Sequence, residues 1–214
     1  MSTSRKQILD ALSKAREKLK KRNFNQSVEL IINLREVDMK RPENRINLRV
    51  ELPKSFGKRS VLIFASGDLA LRARRAGVDG VIEPPELEAL SKDKKEVKKR
   101  LKEYEIFISE APLMPTVSRV VGPFLGPKGK MPVPIPSQAP IDEILEREKK
   151  VVVLRSRDRP LIQCLVGIES MKDEEIAENI ESVLSNLTRT LKRGAGNIKS
   201  VYIKLTMGEA VKLI

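Results

Sequence analysis

The chain has no histidine and no tryptophan, and only 3% of its 214 residues are aromatic. Without histidine it has no Ser-His-Asp triad, no imidazole ligand for zinc and no histidine general base. The shortage of aromatic side chains argues against the stacking platforms with which proteins bind single-stranded RNA. These absences still allow recognition of a folded RNA through its phosphates, 2′-hydroxyl groups and shape.

Cysteine and long apolar runs are also scarce. The single cysteine, Cys164, excludes an internal disulfide, and its apolar neighbours at 161–166 indicate a core thiol rather than a nucleophile. The longest apolar runs, such as 61–65, are far too short to span a membrane, and no apolar signal segment follows the first charged residues. We therefore expect a cytoplasmic protein without membrane contact.

Positive charge is what the chain has in excess, since 42 Lys and Arg against 29 Asp and Glu give a net charge of +13. The charge is patterned: residues 1–24 and 91–103 are basic, whereas residues 169–181 are acidic. Solvated helix faces account for many such segments, but an excess of this size favours a polyanionic partner. We expect that partner to be nucleic acid.

Both ends of the chain contain segments in which apolar and polar residues alternate, at 27–34, 45–52 and 200–206. Such alternation is typical of strands with one buried face, as in antiparallel sheets. Residues 151–154 and 161–166 are predicted to form a further hairpin.

Two helices are predicted beside these strands. Helical spacing covers 3–22, and a long helix capped by Ser170 or Asp173 ends at Gly194 and Gly196. The apolar face of the first helix consists of Ile8, Leu12, Ala15 and Leu19.

The middle of the chain has a different pattern, because its predicted strands at 61–65, 78–82 and 106–108 are apolar throughout. Strands buried on both faces belong to parallel sheets covered by helices. Helices are predicted at 68–76, 93–105 and 142–150.

We therefore predict an α+β domain built from the terminal segments, with an antiparallel sheet and two helices, at residues 1–56 and 152–214. An inserted three-layer α/β domain with a parallel sheet occupies 57–151. Two crossings between the domains permit hinge motion. The alternative is one continuous mixed sheet.

The candidate site lies on the polar sides of two terminal strands. Ser27 and Glu29 project from one strand, and Ser200 and Thr206 from the other. We expect these strands to be neighbours that present hydroxyl groups and a carboxylate to folded RNA. Gly208 permits close approach of backbone to a ligand.

Basic side chains supply further candidate contacts, at Arg155, Arg157 and Arg159 in a predicted turn and at Lys204 on the outward strand face. Residues 122–130 lack the spacing of a phosphate-binding loop and predict a rigid, extended basic loop instead. Residue type alone favours a core position for Phe24, because most phenylalanines are buried. No metal-ligand spacing occurs in the sequence.

At these residues the chain resembles the family of the mobile-stalk protein of the large ribosomal subunit, the L-one family. The motif Asn23-Phe-Asn-Gln-Ser-Val-Glu29 is similar to the family's Lys-Phe-x-x-Thr-Val-Glu, and Ser200-Val-Tyr with Thr206-Met-Gly208 is similar to its Ser-Val-Tyr and Thr-Met-Gly. Residues 52–58 and 122–134 also match, so the resemblance covers almost the whole chain. The loop form Gly-Pro-Lys-Gly-Lys and the short C-terminus resemble the archaeal branch.

The resemblance implies two domains, the second inserted in the first, and binding of large-subunit ribosomal RNA through the domain of the terminal segments. It also implies a role in release of deacylated tRNA from the exit site and repression of the protein's own messenger. Asn23 departs from the family's lysine, and Ser27 replaces threonine but keeps the hydroxyl. The RNA-contacting residues carried over by position are Phe24, Ser27, Glu29, Ser200, Thr206, Met207 and Gly208.

The resemblance implies that Phe24 contacts RNA, whereas its residue type alone favours a core position. We expect no catalytic activity, no cofactor and no metal. The expected partners are large-subunit ribosomal RNA, exit-site tRNA and the protein's own mRNA. When it is free of these partners, we expect the protein to be a monomer. Two alternatives remain at this stage. The middle domain could be an α/β enzyme acting on phosphorylated substrates, or the protein could be a regulatory RNA-binder that never joins ribosomes.

Overall fold

A computed structural model describes residues 4–17 and 22–214 of the chain. The described residues fall into two compact units. Unit 1 contains the N-terminal residues up to Gly57 together with Lys150–Ile214, and unit 2 is Lys58–Lys149. Leu19, which the helical spacing places on an apolar face, lies outside the described residues.

Unit 1 contains a four-stranded antiparallel sheet made from both ends of the chain. Its strand order is β10-β9-β1-β8, and every neighbouring pair is antiparallel. The strands are β1 (Ser27–Leu34), β8 (Leu161–Ile168), β9 (Ile198–Leu205) and β10 (Val211–Lys212).

A separate two-stranded sheet in unit 1 pairs β2 (Asn47–Glu51) with β7 (Val151–Arg155). The predicted hairpin between 151–154 and 161–166 is therefore wrong, because β7 pairs with β2 and β8 pairs with β1. Pairing with β2 continues just beyond β7: Ser156 N–H donates to the carbonyl of Ile46 at 2.9 Å, and its hydroxyl accepts from Ile46 N–H at 2.8 Å.

Two helices of unit 1, α1 (Arg5–Glu17) and α7 (Asp173–Thr190), pack against one face of the four-stranded sheet. That face is apolar because alternate residues of β1, namely Val28, Leu30, Ile32 and Leu34, are buried. The opposite face carries Ser27, Glu29, Ile31 and Asn33, all of which are partly exposed. The predicted α+β arrangement of an antiparallel sheet with two helices is confirmed.

The ends of α7 differ from the prediction. Lys172 is the N-cap, rather than Ser170 or Asp173, and its backbone N–H donates to the Glu175 carboxylate at 3.3 Å. The helix ends at Thr190, before the two glycines, and a short 3₁₀ turn follows at Gly194–Asn197. Gly194 has φ of +54°, a left-handed conformation that favours glycine.

Unit 2 is a three-layer α/β structure, as predicted. Its parallel sheet has the order β4-β3-β5-β6. Helices α2 and α6 cover one face, and α3, α4 and α5 cover the other. The elements are β3 (Val61–Phe64), α2 (Gly67–Arg75), β4 (Gly80–Ile82), α3 (Pro84–Ser91), α4 (Lys94–Lys102), β5 (Ile106–Glu110), α5 (Met114–Leu125), β6 (Val133–Ile135) and α6 (Ile141–Lys150).

The predicted basic loop at 122–130 is wrong in its first part, because residues 122–125 form the last turn of α5. Val117, Val121 and Leu125 recur at helical spacing and are buried against the sheet, and this burial outweighs the cost of Pro123 inside the helix. Only residues 126–130 form a turn before β6.

A buried carboxylate, Glu110, lies at the carboxyl end of β5 in unit 2. Its oxygens accept from Ser66 N–H at 2.9 Å, from the Ser66 hydroxyl at 2.7 Å and from the Ser137 hydroxyl at 2.5 Å. Burial raises the pKa of Glu110, but the hydrogen bonds from Ser137 and Ser66 outweigh it and lower the pKa below its usual value. The ionised form of Glu110 therefore joins the segments that follow β3 and β6.

Because the folded pKa of Glu110 is lowered, its stabilising effect is present above the unfolded pKa and is lost as pH falls through the folded pKa. We expect Glu110→Gln to show a smaller loss of unit 2 stability between pH 6 and pH 3 than the parent protein. Urea unfolding followed by the fluorescence of Tyr104, in a Tyr202→Phe background, measures unit 2 alone. The exposed Glu146→Gln is the matched control, and equal acid sensitivity of E110Q and E146Q would contradict the assignment.

Candidate nucleic-acid interface

The two polar strand segments picked out from the sequence are neighbours in one sheet. β1 and β9 pair antiparallel, with Glu29 opposite Lys204 and Asn33 opposite Ser200. This confirms the predicted side-by-side placement of segments from the two chain ends. Their polar side chains form the partly exposed face of the sheet, which we call the open face.

At one end of the open face the two strands are joined by their hydroxyl residues. Thr206 N–H donates to the carbonyl of Ser27 at 3.1 Å, and Ser27 N–H donates to Oγ1 of Thr206 at 3.0 Å. We call this the hydroxyl end, defined by Phe24–Ser27 and Thr206–Gly208. Thr206 is partly exposed.

Gln26 fixes the turn at the hydroxyl end, and sequence reasoning did not identify it. Its side chain is fully buried, and its Oε1 accepts from Met207 N–H at 3.0 Å. Its backbone N–H donates to the Glu169 carboxylate at 3.2 Å, and its carbonyl accepts from Glu169 N–H at 2.8 Å. No periodicity marks Gln26, because its role depends on a residue 181 positions away in the chain.

Two large apolar side chains are exposed at the hydroxyl end. Phe24 is 51% exposed and Met207 is 58% exposed. The core position that residue type alone favours for Phe24 is therefore wrong. Exposed aromatic and thioether groups next to hydrogen-bonding groups offer apolar contact to a ribose or a base.

Ser200 lies on the open face but is buried, with 8% of its surface exposed, so its predicted outward exposure is wrong. Its hydroxyl accepts from Nδ2 of Asn33 at 2.9 Å. The register places Ser200 six residues from Thr206 along β9, or about 20 Å at the rise of an extended strand. The seven predicted contacts therefore extend along the sheet instead of meeting at one point.

Ser27, Glu29 and Lys204 are partly exposed on the open face. Nζ of Lys204 donates to the carbonyl of Thr206 at 3.3 Å, which holds this ammonium group close to the turn. Among the side-chain hydrogen bonds and ion pairs of the described residues, none involves the Ser27 hydroxyl or the Glu29 carboxylate. Both groups are available to a ligand.

Arg155 and Arg157 are exposed but lie at the other end of the sheet from Thr206. Arg155 is opposite Asn47 in the β2–β7 pair, and Leu161, which begins β8, is opposite Asn33. The structure therefore brings Lys204, but neither arginine, to the hydroxyl end.

The positive charge of the chain is concentrated in unit 1. By sequence this unit holds 25 Lys and Arg against 15 Asp and Glu, whereas unit 2 holds 17 against 14. Unit 1 therefore carries +10 of the net +13. The open face belongs to the unit with the stronger attraction for a polyanion.

The remaining chemistry of the described residues is limited. Cys164 is buried, and this desolvation raises the pKa of its thiol to about 12, which confirms a core thiol. No cluster of three or more His, Cys, Asp or Glu side chains suited to a metal ion occurs in residues 4–17 and 22–214. Within the same residues, no helix is long and apolar enough to span a membrane.

Comparison with known proteins assigns the family. The model of the ribosomal protein L1p/L10e family matches residues 14–209. The chain belongs to this family. It is 47% identical over 210 residues to the large ribosomal subunit protein uL1 of Methanothermococcus thermolithotrophicus, with 98% of each chain covered. It is 45% identical over 215 residues to the same protein of Pyrococcus horikoshii, covering 100% of this chain and 98% of the relative.

Membership makes the protein a structural component of the large ribosomal subunit, of the archaeal type. It is not an enzyme, which overturns the alternative of an α/β enzyme acting on phosphorylated substrates. Its location is the ribosome in the cytoplasm, as expected from the sequence, which overturns the alternative of a regulator that never joins ribosomes.

The hydrogen bond between Thr206 and Ser27 gives a prediction about stability. Thr206→Ala removes the acceptor for Ser27 N–H, so we expect unit 1 to lose about 1 kcal/mol of unfolding free energy. Thr206→Ser keeps the hydroxyl and should lose clearly less. Urea unfolding followed by Tyr202 fluorescence, in a Tyr104→Phe background, measures the difference. Equal stability of T206A and T206S would show that this hydrogen bond contributes nothing.

Proposed function

We propose that the open face of unit 1 binds a folded site in large-subunit ribosomal RNA at the mobile stalk. The observation that carries this proposal is the β1–β9 pairing, which aligns Ser27, Glu29, Lys204 and Thr206 on one uncovered face. Hydroxyl, carboxylate and ammonium groups suit 2′-hydroxyls, base edges and phosphates respectively. The +10 charge of the unit supplies attraction to the RNA backbone.

The contact residues we propose are Phe24, Ser27, Glu29, Ser200, Thr206, Met207 and Gly208, with Lys204 as a further phosphate contact. The division of labour follows their geometry. Exposed Phe24 and Met207 provide apolar contact, whereas the turn fixed by Gln26 presents backbone and hydroxyl groups in one arrangement. To contact RNA, the Ser200 hydroxyl must either break the hydrogen bond that it accepts from Asn33 or form a second hydrogen bond beside it. Arg155 and Arg157 belong to another part of the surface.

We further propose that the protein represses translation of its own messenger by presenting the same open face to a similar RNA structure. One face serves both RNAs, because the hydroxyl end offers a single fixed set of groups and ribosomal RNA and messenger would compete for it. The resemblance described above supports this role. We also treat the two units as separate domains, divided near residues 57 and 150, with unit 1 as the RNA-binding domain.

Phe24→Ala tests the face, because an exposed ring contributes little to folding and about 1–3 kcal/mol where a base or ribose packs on it. We expect about tenfold weaker binding to a large-subunit RNA fragment, measured by filter binding or fluorescence anisotropy, with an unchanged melting temperature. The messenger leader should lose affinity in parallel.

Leu71→Ala is the matched control for this variant, since Leu71 is an equally exposed apolar residue, 52% accessible, in unit 2. L71A should bind both RNAs like the parent protein. If F24A also binds ribosomal RNA as tightly as the parent, the proposed face is wrong. If only messenger binding is unaffected, the shared-face mechanism of repression is wrong.

The last part of the proposed function is assistance in the release of deacylated tRNA from the exit site. We expect large subunits that lack this protein to release exit-site tRNA more slowly in rapid-filtration measurements. Adding back the full chain should restore the rate, whereas adding F24A at a concentration below its dissociation constant should not. An unchanged release rate after depletion would contradict this role.

A further inference from the structure

The end of unit 1 opposite the hydroxyl end is formed by three loops, which the fold brings together from distant parts of the sequence. Arg35 N–H donates to the carbonyl of Asn197 at 2.8 Å, and Leu34 N–H donates to the carbonyl of Pro160 at 2.8 Å. Nζ of Lys192 donates to Oδ1 of Asn44 at 2.9 Å. We call segments 35–45, 155–159 and 189–199 the basic end.

The basic end carries a large excess of positive charge. Its three segments contain eleven Lys and Arg residues, all exposed, and four acidic residues. Each acid is already in an ion pair: Glu36 with Arg193, Asp38 and Glu43 with Arg41, and Asp158 with Arg45. The surplus is therefore seven positive charges out of the ten of unit 1. Such a surplus attracts phosphates whatever their sequence.

A cavity of about 570 Å³ opens between two of these loops, next to the C-terminal end of α7. Its apolar lining includes Val37, Ile46, Leu48 and Leu191. Its charged lining consists of four cations and three acids, a net charge of +1: Arg41, Arg45, Lys192 and Arg193 with Glu36, Asp38 and Glu43. This volume lies within the range of sites that hold a small organic ligand. An apolar floor with an excess of positive charge at its rim, including Lys192, matches a nucleotide, whose base is flat and largely apolar and whose phosphate is anionic.

The walls of the cavity are fixed by buried contacts. Asn197 is buried, with Oδ1 accepting from Arg193 N–H at 2.9 Å and Nδ2 donating to the carbonyl of Arg35 at 3.0 Å. Glu36 has φ of +56°, a left-handed conformation unusual for a residue with a side chain. These contacts join the two loops that line the cavity, and a site that is already formed lowers the entropic cost of binding.

We propose that the basic end is a second RNA-binding surface, and that its cavity takes one unpaired nucleotide. The base rests on the apolar floor, and the neighbouring phosphates contact the surrounding Arg and Lys side chains. This proposal rests on the proposed function in that its ligand is RNA, but it uses neither the hydroxyl end nor the residues named for it. An RNA bound at both ends would span the length of the sheet, about 20 Å.

The first test measures binding of the full chain to a fluorescent ten-nucleotide oligouridine over a range of salt concentrations. Lys192→Gln should reduce the slope of log affinity against log salt by about 0.7, the value for one lost contact with a single strand. Lys14→Gln is the matched control, because Lys14 is exposed on α1, which packs on the covered face of the sheet. Equal slopes for K192Q, K14Q and the parent would overturn the second surface.

The second test concerns the cavity itself. Val37→Phe fills part of the cavity without changing charge, so we expect at least fivefold weaker oligouridine binding with an unchanged salt slope. Photo-crosslinking of 4-thiouridine oligonucleotides to the parent protein should map to the cavity lining. Unchanged affinity of V37F, crosslinks confined to other surfaces, or equal binding of an oligoglutamate peptide would each overturn the nucleotide site. Circular dichroism melts confirm that every variant is folded.

The Phe24→Ala variant separates this proposal from the proposed function. F24A should bind oligouridine like the parent protein while it binds ribosomal RNA more weakly. If F24A weakens ribosomal RNA binding and neither K192Q nor V37F affects oligouridine binding, only the second surface is wrong. If F24A has no effect and K192Q and V37F behave as expected, the proposed open face is wrong and the second surface stands.

Discussion

The pairing of β1 with β9 is the interaction on which the rest of unit 1 depends. It joins segments more than 160 residues apart, and its register is set by burial. On the covered face, Val28, Leu30 and Ile32 are buried together with Val201, Ile203 and Leu205. A slip of one residue would turn all of these side chains to solvent and bury the charged ones. The arrangement of polar groups on the open face is therefore a consequence of core packing on the other face.

The two ends of this sheet differ in physical character. At the hydroxyl end, backbone and side-chain groups are fixed by specific hydrogen bonds, including those of Gln26 with Met207 and of Thr206 with Ser27. Fixed groups recognise shape. At the basic end, long and exposed cationic side chains outnumber the acidic ones that line the same cavity. Charge supplies affinity and steering that depend little on sequence. In the two proposals above, one sheet separates recognition from electrostatic attraction along its length.

Unit 2 shows why a fold shared with many enzymes does not imply catalysis. In open parallel sheets, ligands bind beyond the carboxyl ends of the strands, where the strand order reverses. In the order β4-β3-β5-β6 this position lies between β3 and β5. Here it is occupied by the protein's own groups, because Glu110 accepts hydrogen bonds from Ser66 and Ser137. These hydrogen bonds join the segments that follow β3 and β6, and the chain belongs to a non-enzymatic ribosomal family.

The sequence by itself determined the strand and helix classes, since periodicity reports which faces are buried: the alternation in β1 and β9 and the apolar strands of unit 2 are both confirmed. It also determined the family, through motifs that lie at both ends of the chain. Tertiary structure alone decided the partners of β7 and β8, which are adjacent in sequence but join different sheets. It alone decided the burial of Ser200 and the role of Gln26, because each depends on a partner far away in the chain. Local pattern carries no information about such distant contacts.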